Sequence, residues 1–366
     1  MSLQEGFSQE WRQAKIERLL IVRLSAMGDV IHALPAVSAL REAFPEATIG
    51  WVIEERWAEL LCTLPNARSG LRSPQRPLVD KIHSVKLKSW RCSLHSPQTW
   101  EQIAAAISEM QGVRYQVAVD LQGAVRSALI ARWSGVPTIY GTTQPRENVA
   151  SMFYTRQVST HGDHVVEQNI SLVKAIIGKP LNMPAAKLPC DDVAEQECQR
   201  RLQELGVVNF ALLNPGAGWG AKQWPAERYG QVARELAKIG LKSLVNFGPN
   251  EDALAQEVES SSYGEAQRIS CTLTQLIALT RRAKLFIGGD TGPLHLAAAL
   301  NVPLVGIYGP TNPVRNGPFG TRSIVLRSKS SITSHARLQQ PEEGLLEISA
   351  AQVAEAAKEL LRGLRV

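Results

Sequence analysis

Residues 18 to 37, RLLIVRLSAMGDVIHALPAV, begin with a short apolar run and pass directly into a helical pattern. The run Leu19–Val22 predicts a buried strand, and the pattern after it predicts a helix. The connecting loop carries Met27, Gly28 and Asp29, where a dinucleotide-binding turn would carry GxGxxG. A carboxylate at this position repels phosphate. We therefore expect the loop to be a poor phosphate site and a suitable place for a general base.

The same alternation of β-branched runs and helical patterns continues in two series. In the first series we predict strands at 18–24, 48–54, 115–123 and 137–141, with helices at 29–44 and 124–135. In the second series we predict strands at 210–216, 241–248, 284–290 and 302–309, with helices at 193–206, 226–240, 273–283 and 293–301. Such alternation predicts parallel sheets with right-handed crossovers, and so two Rossmann-like α/β halves. The proline-containing stretch LNMPAAKLPCDD is predicted to link them, and residues 347–364 to form an amphipathic helix that packs back on the body.

Composition narrows the class of protein. A chain of 366 residues with 44% hydrophobic and 20% charged residues is typical of a soluble globular protein of two or three domains. The net charge of +6 favours anionic partners without choosing between nucleic acid, a membrane surface and a phosphorylated substrate. The cysteines, which show no CxxC pair, are Cys62, Cys92, Cys190, Cys198 and Cys271. Their scatter argues against a disulfide framework and a zinc site, and the absence of a signal peptide or a long apolar run leaves only peripheral membrane contact.

Residues 65 to 100 are the least regular stretch, and they are rich in positive charge. They contain two tryptophans and seven basic residues, namely Trp90 and Trp100 with Arg68, Arg72, Arg76, Lys81, Lys86, Lys88 and Arg91. One interpretation is a solvated surface excursion, and the other is a basic lip that binds an anionic substrate. A nucleic-acid interface is the weaker interpretation, because no recognised binding module accompanies the charges.

Polar residues follow several predicted strands, where ligands bind in open α/β sheets. They are Asp29, Gln122–Gly123, Asn214–Gly216 and Asp290–Pro293. An aspartate at the start of a helix can also be a simple cap, and this alternative stays open for Asp29 and Asp290.

The stretch from Gly288 to Pro293 is the strongest local signal. Its two glycines allow close approach of a ligand, and the amides at the start of the next helix can bind phosphate oxygens. Lys222, in GWGAKQWP, follows a second glycine-rich loop and could neutralise a diphosphate without a metal, although a surface lysine is the alternative. His295 could bond a carbonyl or a phosphate, and a core or capping role is equally open.

Several motifs together resemble the bacterial heptosyltransferases of glycosyltransferase family nine. They are MGDVIHALPAVSALREAFPEATIGWVIEE, DLQGAVRSAL, the Arg146–Glu147 pair before SMFY, KQWP and GGDTGPLHLAAALNVPLVGIYGPTNP. The resemblance runs from about residue 18 to residue 325 and is nearest to members that add the first heptose to the inner core of lipopolysaccharide. It implies a GT-B architecture, in which two Rossmann-like domains face a central cleft. Residues 1–185 would bind the acceptor, residues 186–345 the nucleotide sugar, and residues 346–366 would form the terminal helix.

The resemblance also implies the reaction. Heptose would pass from ADP-heptose to the Kdo sugar of Kdo-lipid A with inversion at the anomeric carbon. No metal or cofactor is expected, and neither is a nucleic-acid partner. The enzyme would be cytoplasmic and touch the cytoplasmic face of the inner membrane peripherally. Because the acceptor domain of such an enzyme does not bind the nucleotide, its first loop is free to hold Asp29 as the base.

Site roles follow from matching the motif positions. Lys222 would act catalytically with Asp29; the donor-binding residues would be Asn214, Gly216, Gly218, Lys222, Glu251, Cys271, Asp290, Thr291, Gly292, Pro293 and His295. Among these, Glu251 would bind the ribose, the backbone carbonyl of Cys271 would read adenine and Asp290 would contact the sugar. Acceptor binding would fall to Ser25, Met27, Gly28, Gln122, Gly123, Arg126, Arg146, Lys86, Lys88 and Arg91. The chain departs from the family in having Ala217 and Gly218 where hydroxyl residues usually precede the lysine, so backbone amides would bind phosphate there.

Two other functions stay open at this point. The same fold could use another sugar donor or acceptor, or the protein could bind a sugar nucleotide without catalysis. The presence of Asp29, Lys222 and Asp290 together argues against the non-catalytic reading. A Rossmann oxidoreductase would require GxGxxG after a strand, which the sequence lacks.

Overall fold

Two parallel sheets of six strands each organise the chain. The computed structural model describes residues 16–64, 68–179, 181, 183–334 and 336–362. The chain divides into two compact units between Pro189 and Cys190, four residues after the boundary expected at 185/186.

The first unit contains strands β1 to β6 and helices α1 to α5. The strands are β1 (Arg18–Val22), β2 (Thr48–Glu54), β3 (Lys81–Val85), β4 (Val117–Asp120), β5 (Thr138–Thr142) and β6 (Arg156–Val158). The helices are α1 (Met27–Ala43), α2 (Leu87–Cys92), α3 (Pro97–Val113), α4 (Val125–Trp133) and α5 (Val165–Ile177), with 3₁₀ turns at Glu55–Leu60 and Asn148–Phe153.

The second unit contains strands β7 to β12 and helices α6 to α13. The strands are β7 (Phe210–Asn214), β8 (Lys242–Phe247), β9 (Ala266–Ser270), β10 (Leu285–Gly289), β11 (Leu304–Tyr308) and β12 (Ser323–Arg327). The helices are α6 (Asp192–Glu204), α7 (Ala226–Ala237), α8 (Asp252–Ser261), α9 (Leu273–Arg282), α10 (Gly292–Ala299), α11 (Pro313–Asn316), α12 (Glu343–Leu346) and α13 (Ala350–Arg362), with a 3₁₀ turn at Gly220–Lys222.

Both sheets have the strand order of a Rossmann fold. The first runs β3-β2-β1-β4-β5-β6 and the second runs β9-β8-β7-β10-β11-β12, with every neighbouring pair parallel. In each unit the order reverses between the first and fourth strands, which is where open α/β sheets bind ligands. The prediction of an α/β fold with two Rossmann-like halves is confirmed.

Burial explains why these segments form strands and helices. Leu19, Leu20, Ile21 and Val22 are fully buried in β1, as expected for a parallel strand covered by helices on both faces. In the second unit the terminal helix α13 packs into the same core as α7, and residues 363–364 of the predicted helix lie outside the described part of the chain. None of the described helices has the length and apolarity needed to cross a membrane.

The expectation that residues 65 to 100 are the least regular stretch is wrong from Lys81 onward, whereas the described residues 68–80 contain no helix or strand. Strand β3, helix α2 and the first turn of α3 lie within this stretch. Arg76 is only 2% exposed and Trp90 only 8%, because both side chains pack inside the first unit. Neither can therefore belong to a solvated lip, whereas Trp100 is exposed.

Candidate active site

Asp29 lies at the switch point of the first sheet, in the first turn of α1. Its Oδ2 accepts a hydrogen bond from the amide of Ala26 at 3.1 Å, and its Oδ1 lies 2.9 Å from Nη2 of the buried Arg23. Asp29 therefore does take part in capping the helix, as the capping alternative proposed, but this role does not exclude a role in catalysis. Its side chain nevertheless stays 36% exposed, which leaves the carboxylate accessible to a substrate.

Gln122, at the end of β4, is tied to the same loop. Its Oε1 accepts a hydrogen bond from the amide of Leu24 at 2.8 Å. This bond joins the loops after β1 and β4, so the structure brings Asp29 and Gln122 to the same edge of the sheet. The side-chain amide nitrogen of Gln122 is buried and has no hydrogen-bond partner among the described residues.

Asp120 holds the loop that carries Gln122, and the sequence reasoning missed it. Its fully buried carboxylate accepts hydrogen bonds from the amides of Gln122 and Gly123 and from the hydroxyls of Ser127 and Tyr154, at 2.8 to 3.2 Å. Burial raises the pKa of Asp120 above its usual range, and these four bonds only partly offset that effect. The sequence did contain a signal for this role, because Asp120 is an acidic residue at the end of the apolar run VAVD.

The backbone of Arg146 lies next to Gly123, in the loop after β4. Gly123 has a φ of +66°, and a Cβ there would lie 3.0 Å from the amide nitrogen of Arg146. Glu147 fastens the contact, because its amide donates to the carbonyl of Gly123 and its carboxylate accepts from the amide of Val125, both at 2.9 Å. The structure therefore brings the backbone of Arg146 next to Gly123, and the exposed Arg126 lies in the first turn of α4.

A pocket of about 400 Å³ opens beside the ends of β2 and β3. It is lined by Glu54, Glu55, Arg56, Val85, Lys86, Lys88, Ser89 and Cys92. Glu55 pairs with both Lys86, at 3.4 Å, and Arg68, at 3.1 Å, so part of the predicted basic charge is neutralised. Lys88 and Arg91 are exposed on α2, so they remain the better candidates for binding an anion.

Lys222, Asp290 and His295 form a buried cluster at the end of β10 in the second unit. Nζ of Lys222 lies 2.5 Å from Oδ2 of Asp290, and Nε2 of His295 lies 3.1 Å from Oδ1. The Lys222 side chain is only 11% exposed, which excludes an ordinary surface lysine. Burial alone would raise the pKa of Asp290, but His295 and Lys222 outweigh burial and hold that pKa well below its usual range.

The start of helix α10 adjoins this cluster. Thr291 is the N-cap residue, and its hydroxyl donates to the carbonyl of Gly289 at 3.3 Å. The first amides of a helix have no carbonyl partner within it, and Pro293 has no amide hydrogen. The amides of Thr291 and Gly292 are therefore the groups placed to bind a phosphate oxygen.

Glu251 lies directly against Gly216. A Cβ on Gly216 would lie 2.3 Å from Oε1 of Glu251, so only glycine leaves room for this carboxylate. Glu251 also accepts a hydrogen bond from the amide of Gly248 at 2.7 Å, which fixes its orientation at the end of β8. Asn214 accepts from the side-chain amide of Asn246 at 2.9 Å and so joins the ends of β7 and β8.

Cys271 follows β9, the next strand of the sheet, and burial raises the pKa of its thiol to about 11. Gly218 lies in the loop after β7, and a Cβ there would meet no atom within 4 Å. The predicted donor residues thus come from the ends of four neighbouring strands, β10, β7, β8 and β9. The described residues contain no group of three or more His, Cys, Asp or Glu side chains arranged to hold a metal ion.

Residues 103–346 match glycosyltransferase family 9 (heptosyltransferase). The chain belongs to glycosyltransferase family 9. The family 9 chain is 28% identical to lipopolysaccharide heptosyltransferase 1 of Pseudomonas aeruginosa over 323 residues, 85% of this chain and 84% of that protein. The predicted family is confirmed, and this family 9 protein is a glycosyltransferase.

Solved structures agree with this assignment. Escherichia coli heptosyltransferase WaaC with ADP-2-deoxy-2-fluoro heptose is 26% identical and superimposes with a TM-score of 0.74, covering 93% of this chain and 99% of WaaC. The family 9 glycosyltransferase of Veillonella parvula has a TM-score of 0.81 at 22% identity, covering 96% of this chain and 99% of that chain, and shows the same fold. The predicted GT-B fold class is confirmed for this family 9 glycosyltransferase.

Proposed function

We propose that the protein is an inverting heptosyltransferase that moves heptose from ADP-heptose to the Kdo sugar of Kdo-lipid A. The observation that carries the proposal is the buried Lys222–Asp290–His295 cluster beside the first amides of α10. A fixed ammonium next to free helix amides suits a diphosphate. The names of the relatives, heptosyltransferase 1 and WaaC with an ADP-heptose analogue, support heptose as the sugar.

The donor would lie along the carboxyl edge of the second sheet. Lys222 and the amides of Thr291 and Gly292 would bind the diphosphate, and Asp290 would contact the heptose. Glu251, oriented by Gly248 against Gly216, would accept hydrogen bonds from the ribose hydroxyls. The carbonyl of Cys271 would accept from adenine. Gly218 would contribute its backbone amide, and Asn214, Pro293 and His295 would shape the site.

The acceptor would lie along the carboxyl edge of the first sheet. Gln122 and Gly123, with the backbone of Arg146 beside Gly123, would form one wall next to the loop of Ser25, Met27 and Gly28, and Arg126 would lie near it. The pocket at β2 and β3 would supply Lys86 and Lys88, and Arg91 is exposed on the same helix, α2. Kdo and the lipid A phosphates are anionic, so this charge pattern suits them.

The reaction would be a single displacement. Asp29 would take the proton of the acceptor hydroxyl while that oxygen attacks the anomeric carbon from the face opposite ADP. The leaving diphosphate gains negative charge in the transition state, and Lys222 with the helix amides would stabilise that charge. Neither a metal ion nor a cofactor takes part in this proposal, because Lys222 supplies the positive charge that a divalent ion would supply elsewhere.

A lipid acceptor implies where the enzyme works. We propose a cytoplasmic protein that touches the cytoplasmic face of the inner membrane peripherally and has no nucleic-acid partner. Exposed basic residues such as Lys88 and Arg91 would attract the anionic surface, each contributing about 1 kcal/mol.

The test is transfer of heptose from ADP-heptose to Kdo-lipid A by the purified full-length chain, with and without excess EDTA. Transfer with inversion that survives EDTA supports the proposal. Transfer only to another acceptor, or from another nucleotide sugar, would change the substrates and keep the fold. Binding of ADP without transfer from any donor would point to a non-catalytic protein, and loss of activity in EDTA that magnesium restores would refute the metal-independent mechanism.

A further inference from the structure

We infer that Arg337 is a second cation of the donor site and binds the diphosphate beside Lys222, with the indole ring of Trp219 holding both side chains. The inference rests on the proposed function, since it takes Lys222 to be a diphosphate ligand. It adds a residue that lies beyond the motifs on which the sequence analysis relied.

Trp219 gathers two positive charges. Nζ of Lys222 lies 4.4 Å from the centre of the Trp219 ring, and the guanidinium carbon of Arg337 lies 5.5 Å from it. Both distances are within the range of about 6 Å over which an aromatic ring attracts a cation. Asp290 is the only anion paired with Lys222 among the described residues, so two cations and one carboxylate leave net positive charge beside the ring, which favours a further anion there.

The backbone near Arg337 is fastened to the loop that carries Lys222. The amide of Ala221 donates to the carbonyl of Leu338 at 3.0 Å, and the amide of Glu342 donates to the carbonyl of Ala221 at 3.2 Å. A Cβ on Gly220 would lie 1.7 Å from the carbonyl oxygen of Gln339, so the two segments touch backbone to backbone. These contacts hold the backbone next to Arg337 beside the Lys222 loop, and the Arg337 side chain itself is exposed.

The upstream part of this segment is also anchored. The amide of Ser334 donates to the carbonyl of Pro310 at 2.8 Å. The carboxylate of Glu342 accepts from the hydroxyl of Ser331 at 3.0 Å and from the amide of Ile332 at 3.2 Å. Residues on both sides of Arg337 are thus bonded to the body of the second unit.

The charge balance of the site leaves room for another cation. Asp290 offsets part of the positive charge of Lys222, whereas the Arg337 guanidinium forms no hydrogen bond or ion pair to any described residue. Ala217 and Gly218 supply no hydroxyl donor in the preceding loop. The planar guanidinium of Arg337 can donate two parallel hydrogen bonds to phosphate oxygens. It would therefore supply both the positive charge and the hydrogen-bond donors that the loop lacks.

The experiment measures ADP affinity of the full chain by calorimetry. Arg337→Ala should weaken ADP binding about tenfold, the size of one charge-assisted hydrogen bond. Arg337→Lys should weaken it by a smaller factor, because the charge remains and the fork is lost. The matched control is Arg234→Ala: its guanidinium lies 4.6 Å from the Tyr263 ring in the same unit, and it has no part in the proposed site. This control should bind ADP as the wild type does.

Trp219 is tested as a positioning residue. Trp219→Leu should weaken ADP binding and Trp219→Phe should restore most of it, because a phenyl ring still attracts both cations. In a protein that already carries Arg337→Ala, the change Trp219→Leu should weaken ADP binding by a smaller factor, because part of the role of Trp219 is to position Arg337. Circular dichroism without ligand checks that each variant is folded.

The outcomes separate the two proposals. If the wild type binds ADP and transfers heptose but Arg337→Ala binds ADP equally well, the role of Arg337 is overturned and the proposed function stands. Equal losses in Arg337→Ala and Arg234→Ala would also overturn it. A wild-type protein that does not bind ADP at all overturns both proposals.

Discussion

The ammonium of Lys222 and the carboxylate of Asp290 lie 2.5 Å apart, and both side chains are about nine-tenths buried. These residues are 68 positions apart in the sequence and meet because β7 and β10 are neighbours in the sheet. The pair, completed by His295, fixes an ammonium at the start of α10. Its consequences for stability and for binding can be measured separately.

Replacement of Lys222 by Met should both destabilise the protein and weaken ADP binding. The change leaves the buried Asp290 carboxylate without its ammonium, and breaking a buried pair in this way costs about 3 kcal/mol. Chemical denaturation gives the free energy of unfolding. The matched control is Lys238→Met, because Lys238 forms an equally short pair with Glu235 at an exposed position. That surface pair should contribute little to stability, because solvent screens it. Equal effects of the two changes would contradict the structural role of the buried pair.

Asp290 should also make the protein sensitive to acid. The native pKa of Asp290 lies below its value in the unfolded chain, about 3.9. As the pH falls below about 4, the unfolded chain therefore takes up a proton that the native state does not, and stability is lost as the pH falls toward the native pKa. The stabilisation is complete above that range. Free energies of unfolding between pH 5 and pH 3 should fall less steeply in Asp290→Asn than in the wild type, and parallel curves would refute this explanation.

Much of the fold was predictable from the sequence. Strand β2 was predicted residue for residue, because TIGWVIE is a continuous apolar and β-branched run of the kind that fills a parallel sheet. Strands β3, β6, β9 and β12 were not predicted; Arg156–Val158, for example, is short and exposed, and AQRIS mixes polar with apolar residues. These strands are defined by pairing with a neighbour, which local sequence does not show.

Part of the candidate site was also predictable from the sequence. Positions such as Asp29 and Asp290 follow recognisable strands, and the topology of a parallel sheet places strand ends together. What those side chains contact was not predictable. One interpretation placed Trp90 in a basic lip because its neighbours in the sequence are charged, yet it packs in the core. The burial of Asp120 and the stacking of Arg337 on Trp219 depend likewise on segments far apart in the chain.

Replacement of Asp29 by Asn should remove the general base while keeping the helix cap. The Asn oxygen can still accept the hydrogen bond from Ala26, but the ion pair with the buried Arg23 is lost, so some stability is lost while the folded protein should keep its ADP affinity. Turnover of heptose transfer should fall by about 100-fold or more, the usual contribution of a general base. Glu167→Gln is the matched control, because Glu167 accepts the same capping hydrogen bond from His164 at the start of α5. Near-normal turnover in Asp29→Asn would remove Asp29 from the mechanism.

Replacement of Gly216 by Ala tests the position of Glu251. The added methyl would occupy the place of the Glu251 carboxylate, so that side chain must move away from its hydrogen bond to Gly248. We expect ADP affinity to fall about tenfold, the size of one or two lost hydrogen bonds to the ribose, and adenine-only ligands to be affected less. Gly112→Ala, where a Cβ meets no atom within 4 Å, is the control and should bind ADP normally. An unchanged ADP affinity in Gly216→Ala would separate Glu251 from the ribose.

Charge reversal on α2 tests the acceptor surface. Lys88 and Arg91 are exposed on this helix, and Lys88 lines the pocket at the ends of β2 and β3. Lys86 is left unchanged, because its pair with Glu55 would become a repulsion if it were reversed. The double variant Lys88→Glu and Arg91→Glu should raise the apparent KM for Kdo-lipid A and leave the KM for ADP-heptose nearly unchanged.

The size and the salt dependence of that change follow from electrostatics. Each basic residue near an anionic surface contributes about 1 kcal/mol, and raising the ionic strength weakens the attraction as the Debye length shortens from about 10 Å at 0.1 M salt. Added salt should therefore make the wild type resemble the variant. The control reverses Lys174 and Lys179, two exposed lysines at the end of α5 in the same unit, and should leave both constants unchanged. The comparison is repeated with a deacylated, dephosphorylated acceptor, which should be insensitive to the reversal. If the reversal impaired both acceptors equally, or if it altered only the donor constant, then α2 would be an ordinary solvated surface and acceptor recognition would have to be assigned to Arg126 and Arg146 instead.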